Sequence, residues 1–168
     1  QRLKGPTMRI ASILRTLLRA TPLVLVACAS GGHSRGGRIL LPCPRANPAA
    51  AEASVDQAGD EIAVRGHRLR LQQGSVRGTT HFRVQDRVDG YAGVDITPHA
   101  TQFEARARLT LSYARCRSEA AGFRTLQIVE VTPGGTDIIR ELGGDWDRRD
   151  MTVTVELDHL SGYLISGT

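Results

Sequence analysis

The chain has 168 residues, enough for one domain with appendages. Forty per cent of them are hydrophobic, as in an ordinary globular protein. The formal charge of +5 invites a nucleic-acid reading, but its placement excludes that reading. Five of the 22 basic residues (Arg2, Lys4, Arg9, Arg15 and Arg19) precede Cys28, and none of the 17 acidic ones does. Removing those five leaves 17 bases against 17 acids, a neutral remainder with no net field to draw a polyanion. Aromatic residues make up 4%, too few for a platform that stacks bases.

The first element is a leader. From Met8 the chain reads MRIASILRTLLRATPLVLVAC: arginines, a short apolar run over Pro22 to Ala27, then a cysteine. Charged region, apolar region and small-residue cleavage site follow in the order a signal peptide needs. The apolar run is far shorter than the ~20 residues that cross a bilayer. Residues 1–27 are therefore expected to be an upstream extension and a lipoprotein signal peptide. Leu25–Val26–Ala27–Cys28 resembles the bacterial lipobox, which implies lipid on the Cys28 sulfur and a place in the bacterial cell envelope. Ala29 follows the cysteine, so the outer membrane is expected if the host has two.

Residues 28–58 are rich in Gly, Ser, Pro and Ala, with little periodicity. That composition predicts a flexible tether, with Ile39–Leu40–Leu41 as an apolar cluster able to dock locally. A fragment starting near Gly59 is then expected to fold alone.

From Gly59 the pattern becomes short strands. Leu69 and Leu71 alternate with Arg68 and Arg70; Phe82 and Val84 share a face. YAGVDIT, ARLTLSYA, TLQIVEVT, TDIIREL and MTVTVELD follow, with Gly-rich punctuation at Gly74, Gly90, Pro133–Gly135 and Gly143–Gly144. In the last of these, Met151, Val153, Val155 and Leu157 point one way. Only Arg115 to Gly122 reads as helix. Many short strands divided by turns predict an all-β sandwich over residues 59–168. After Leu157 the apolar register changes from odd to even, at Leu160 and Leu164. A bulge or a crossing between sheets is expected at Asp158–His159.

The chemistry-bearing residues are few. His33, His67, His81, His99 and His159 have no metal-ligand spacing and read as solvated or hydrogen-bonded surface histidines; no metal is expected. Asp145, Asp147 and Asp150 lack the calcium-loop spacing and read as a solvated turn anchored by Trp146. Neither a nucleophile-elbow glycine pattern nor a phosphate or dinucleotide loop occurs, and no cofactor is expected. With Cys28 lipidated, Cys43 and Cys116 remain. Spacing alone leaves a disulfide and two free thiols both open, and an oxidising compartment favours the bond.

GHRLRLQQGSVRGTTHFRV resembles the opening of ZU5-type domains, with Gln72–Gln73–Gly74–Ser75–Val76 at the place of a turn-and-strand signature. MTVTVELDHLSGYLISG resembles the closing strands of ZU5-like modules in bacterial lipoproteins, and LTLSYARC and TLQIVEVTPGG resemble their middle. The resemblance implies a ZU5-like β-sandwich that works by protein interaction, without a cofactor. His159–Leu160–Ser161–Gly162 also resembles the His-Phe-Ser motif of self-cleaving eukaryotic members. That likeness implies an alternative: Ser161 attacks the carbonyl of Leu160 and His159 takes the proton, so that the chain breaks at Leu160–Ser161. A small hydrolase built on Ser161 ranks below both, because no acid or oxyanion motif accompanies it. The leading expectation is a non-enzymatic lipoprotein, held to a membrane by its lipid, with a protein partner and no nucleic acid.

Overall fold

The structure, a computed structural model, describes residues 37–168. Cys28, His33 and residues 1–27, where a leader is expected, lie outside the described residues. The described residues form twelve strands: β1 (Ile39–Leu40), β2 (Ala50–Val55), β3 (Asp60–Val64), β4 (His67–Leu71), β5 (Thr80–Asp86), β6 (Gly93–Thr97), β7 (Gln102–Ser112), β8 (Leu126–Val131), β9 (Ile138–Gly143), β10 (Asp145–Asp147), β11 (Thr152–His159) and β12 (Gly162–Gly167). Among the described residues, the one helical stretch is a 3-10 turn at Ala114–Cys116 running into α1 (Arg117–Ala120).

Every ladder is antiparallel. One sheet orders its strands β2-β5-β6-β12-β8-β9, with β1 also on β12; the other runs β10-β11-β7-β4-β3. Alternation within each strand fixes which side chains go between the sheets. Leu69, Leu71, Leu109, Leu111, Val153 and Leu157 come from the five-stranded sheet, and Phe82, Val84, Ile96, Ile128, Tyr163 and Ile165 from its partner; all are buried in one core. The all-β sandwich is thus the architecture of the chain, and the short helix falls where helix was expected. Met151 is the exception to the predicted alternation. It stands in the turn before β11 at φ +54°, and the inward face of the strand begins at Val153. The β3–β4 hairpin closes on two residues, Arg65 and Gly66, both at positive φ, the backbone that matches the twist of the paired strands.

The expected tether over residues 28–58 is corrected for its described part. β2 pairs with β5 along its whole length, from Ala50↔Gln85 to Val55↔Thr80. Leu41 is fully buried; its N–H donates to the Ile165 carbonyl at 2.8 Å and its carbonyl accepts from Ala92 at 3.1 Å. Composition misled because Ala and Pro are read locally as disorder. Here the backbone, rather than large side chains, attaches the segment: β12 has an open flank beyond Leu164, and residues 39–43 fill it. The folded unit therefore begins well before Gly59.

Cys43 and Cys116 are joined as a disulfide, linking this N-terminal segment to the helical turn.

Candidate functional site

The register break expected at Asp158–His159 is present, and it is both a slip and a crossing. β11 pairs Leu157 with Ala107, then His159 with Gln102. The chain leaves the five-stranded sheet there and enters the other at Gly162, between β6 and β8. Leu160, fully buried, bridges the two sheets: its N–H donates to Thr101 and its carbonyl accepts from Ala100. Gly162 follows because a Cβ there would stand 2.7 Å from Asp95 Oδ1.

Four ionisable side chains from three strands meet at the crossing. His159 Nε2 lies 2.8 Å from Glu130 Oε1 on β8, and Nδ1 lies 2.7 Å from Asp158 Oδ1. Arg140 of β9 donates to Glu130 Oε2 at 3.1 Å and to Asp158 Oδ1 at 3.2 Å. Both imidazole nitrogens face carboxylates, so the ring satisfies both only as the cation, with two N–H donors. Its pKa is raised above the ordinary 6.5, first by the hydrogen bond to Glu130. Asp158 is held down at about 2, first by its bond from Arg140 and then by His159. The Tyr163 hydroxyl donates to the His159 carbonyl at 2.6 Å, and burial raises its pKa.

Ser161 takes no part in this ring. It is buried, and its hydroxyl donates to the Val131 carbonyl at 3.1 Å. The two residues of the self-cleavage alternative are thus near in sequence, but each is bonded to a different group. A base for Ser161 needs a neutral imidazole nitrogen aimed at the hydroxyl; His159 has both nitrogens on acids. The charged ring pins the backbone crossing, and the Ser161 hydroxyl is bonded to Val131 rather than to His159.

Sequence reasoning missed a second polar centre. Asp86, at the end of β5, is fully buried with His67, Arg115 and Arg65 around it. His67 is therefore a core residue, correcting its expected place on the surface. It accepts the Ser112 N–H at Nδ1 and faces Asp86 through Nε2 at 3.3 Å. Arg115 donates to Asp86 Oδ2 at 2.7 Å and reaches the Cys43 sulfur at 3.4 Å. Burial pushes Asp86 up, yet the bonds from His67 and Arg115 outweigh it and hold the carboxyl below its ordinary value. The only sequence signal was the odd apolar parity that His67 shares with Leu69 and Leu71. His81 and His99 are exposed, as expected.

A broad, open concavity lies elsewhere, on the outward face of the five-stranded sheet. It holds about 990 Å³ and is lined by Arg68, Arg108, Thr110, Thr154, Glu156 and the carboxylates Asp145, Asp147 and Asp150. Cross-strand register sets Glu61, Arg70, Arg108 and Glu156 side by side on four strands. Among the described residues, no cluster of histidine, cysteine and carboxylate has the makings of a metal site. No family model matches the chain, and no curated protein matches it.

Proposed function

We propose that the chain is a lipoprotein, anchored through Cys28 in the bacterial cell envelope, whose ZU5-like β-sandwich serves as a non-enzymatic interaction module. The observation that carries this reading is the charged, recessed outer face of the five-stranded sheet. Its arginines, threonines and carboxylates offer bidentate and single hydrogen bonds of both signs to a protein surface. The leader and lipobox residues support the anchor, with the outer membrane as destination where two membranes exist.

Two measurements test the halves separately. Cys28→Ser is expected to move the protein from the membrane to the soluble fraction; retention on the membrane would overturn the anchor. Chemical crosslinking of the full chain in its native envelope is expected to give a discrete protein adduct that Arg108→Glu abolishes. An adduct indifferent to that reversal would overturn the sheet face as the contact surface.

A further inference from the structure

The turn from β10 to β11 reads Asp147-Arg148-Arg149-Asp150-Met151 and separates its charges. The two aspartates line the hollow over the sheet. Arg148 and Arg149 line a different hollow, of about 390 Å³, at the size expected of small-ligand sites. Trp146, Phe123 and Met151, half-buried, and buried Tyr113 form its apolar lining. Exposed Arg117, from α1, adds a third cation. No carboxylate stands among the lining residues.

The polar atoms of the aromatic lining are already engaged. Trp146 Nε1 donates to the Tyr113 oxygen at 2.7 Å, and the Tyr113 hydroxyl donates to the Asp147 carbonyl at 3.3 Å. What remains toward the hollow is ring and thioether surface. The guanidinium of Arg148 lies 4.1 Å from the Trp146 ring centroid and donates to the Arg124 carbonyl at 3.1 Å. It is thereby held in place before any ligand arrives, with N–H groups to spare. The two walls are fastened together: Tyr113 N–H donates to the carbonyl of Met151, whose backbone is left-handed, and Cys116 fixes the helical turn through its disulfide.

We propose that this hollow binds a small organic anion, an aromatic or branched apolar body bearing a carboxylate or phosphate. The apolar end enters first and the anion meets Arg117, Arg148 and Arg149. A bilayer is the wrong occupant. Membrane insertion needs apolar side chains outermost with cations behind them, and here the arginines are exposed while the apolar groups are recessed. The site depends neither on the lipid anchor nor on a protein partner.

Trp146 is the sole tryptophan, so its fluorescence reports on the hollow directly. The full chain is titrated with 4-phenylbutyrate, with neutral 4-phenylbutanol, and with acetate. Phenylbutyrate is expected to change the emission saturably, at a midpoint about tenfold below either control. Arg117→Gln and Arg149→Gln are each expected to raise that midpoint several-fold, with circular dichroism unchanged. Equal midpoints for the acid and the alcohol would overturn the proposal, as would arginine variants that bind normally. Sedimentation with phosphatidylglycerol vesicles, in a protein that ignores phenylbutyrate, would overturn it in favour of a membrane contact.

Discussion

Ser161 and His159 lie two residues apart and do unrelated work. The serine hydroxyl satisfies a buried carbonyl on β8, so Ser161→Ala leaves the Val131 oxygen without that donor. A buried hydrogen bond of this kind contributes about 1 kcal/mol. Ser161→Ala is expected to lower stability by about that amount in urea denaturation, and denaturing mass spectrometry is expected to show an intact chain in both proteins. A fragment beginning at Ser161, abolished by the substitution, would revive self-cleavage. His159 acts through its charge. Its folded pKa is raised, so its contribution is fully present below the ordinary value of 6.5 and is lost as pH rises through the higher folded value. The thermal midpoint is therefore expected to fall from mildly acidic to mildly alkaline buffer, and His159→Gln to flatten that fall. An identical slope in the variant would show that the ring of Glu130, Asp158 and Arg140 gains nothing from the imidazolium. Exposure of Asp158 and Arg140 screens the pair, so the effect is expected to be small.

At the scale of elements, the N-terminal strands are the least expected part of the fold and the easiest to test. Deleting residues before Gly59 removes β2 from β5 and takes away buried Leu41, Val55 and Cys43. Each buried aliphatic side chain stabilises by about 2 kcal/mol, against a net stability of ~5–15 kcal/mol for a whole domain. A fragment starting at Gly59 is expected to show no cooperative melting transition, while one starting at Gly37 melts cooperatively. A sharp transition in the shorter fragment would return these strands to the role of a tether. The disulfide acts on the same segment. Its two cysteines are 73 residues apart, and closing a loop of that length in the unfolded chain is worth about 4 kcal/mol. The double variant Cys43→Ala/Cys116→Ala is expected to unfold at distinctly lower denaturant, with its largest gain in hydrogen exchange along residues 39–43 and the helical turn.

Across the whole molecule, two sheets share one core and the last strand ties them together. β12 is buried along its length, with Tyr163 and Ile165 in the main core and Leu164 in a small cluster with Val129 and Val131 on the far face. Leu40 and Tyr91 pack over that cluster, which makes the N-terminal segment a cover as well as a neighbour. Exposed ends of the architecture carry the polar and aromatic surfaces that a ligand or partner meets. The sheet face presents Arg68, Arg70 and Arg108, and the β10–β11 turn presents Arg149 beside Arg148, which stacks over Trp146. In the interior, the buried carboxylate of Asp86 is held by His67 and Arg115.

What the amino-acid order determined by itself is whatever depends on neighbours a few residues away. Alternation at a period of two marks β4, β5 and β11 and their inward faces, because a pleated strand sends successive side chains to opposite sides. The change of parity after Leu157 marks the crossing for the same reason: one face is buried, so a one-residue slip must be absorbed somewhere. Tertiary structure decided what depends on residues distant in sequence. Ala50–Val55 has no apolar pattern strong enough to announce a strand, and only the free edge of β5 makes it one. Asp86 meets a histidine from β4 and an arginine from the helical turn, and neither partner shares a local motif with it. Trp146 meets Tyr113 and the Arg117 wall across more than two dozen residues of intervening chain. Pairing and burial over such separations are settled by the packing of the whole core, and local pattern carries no record of them.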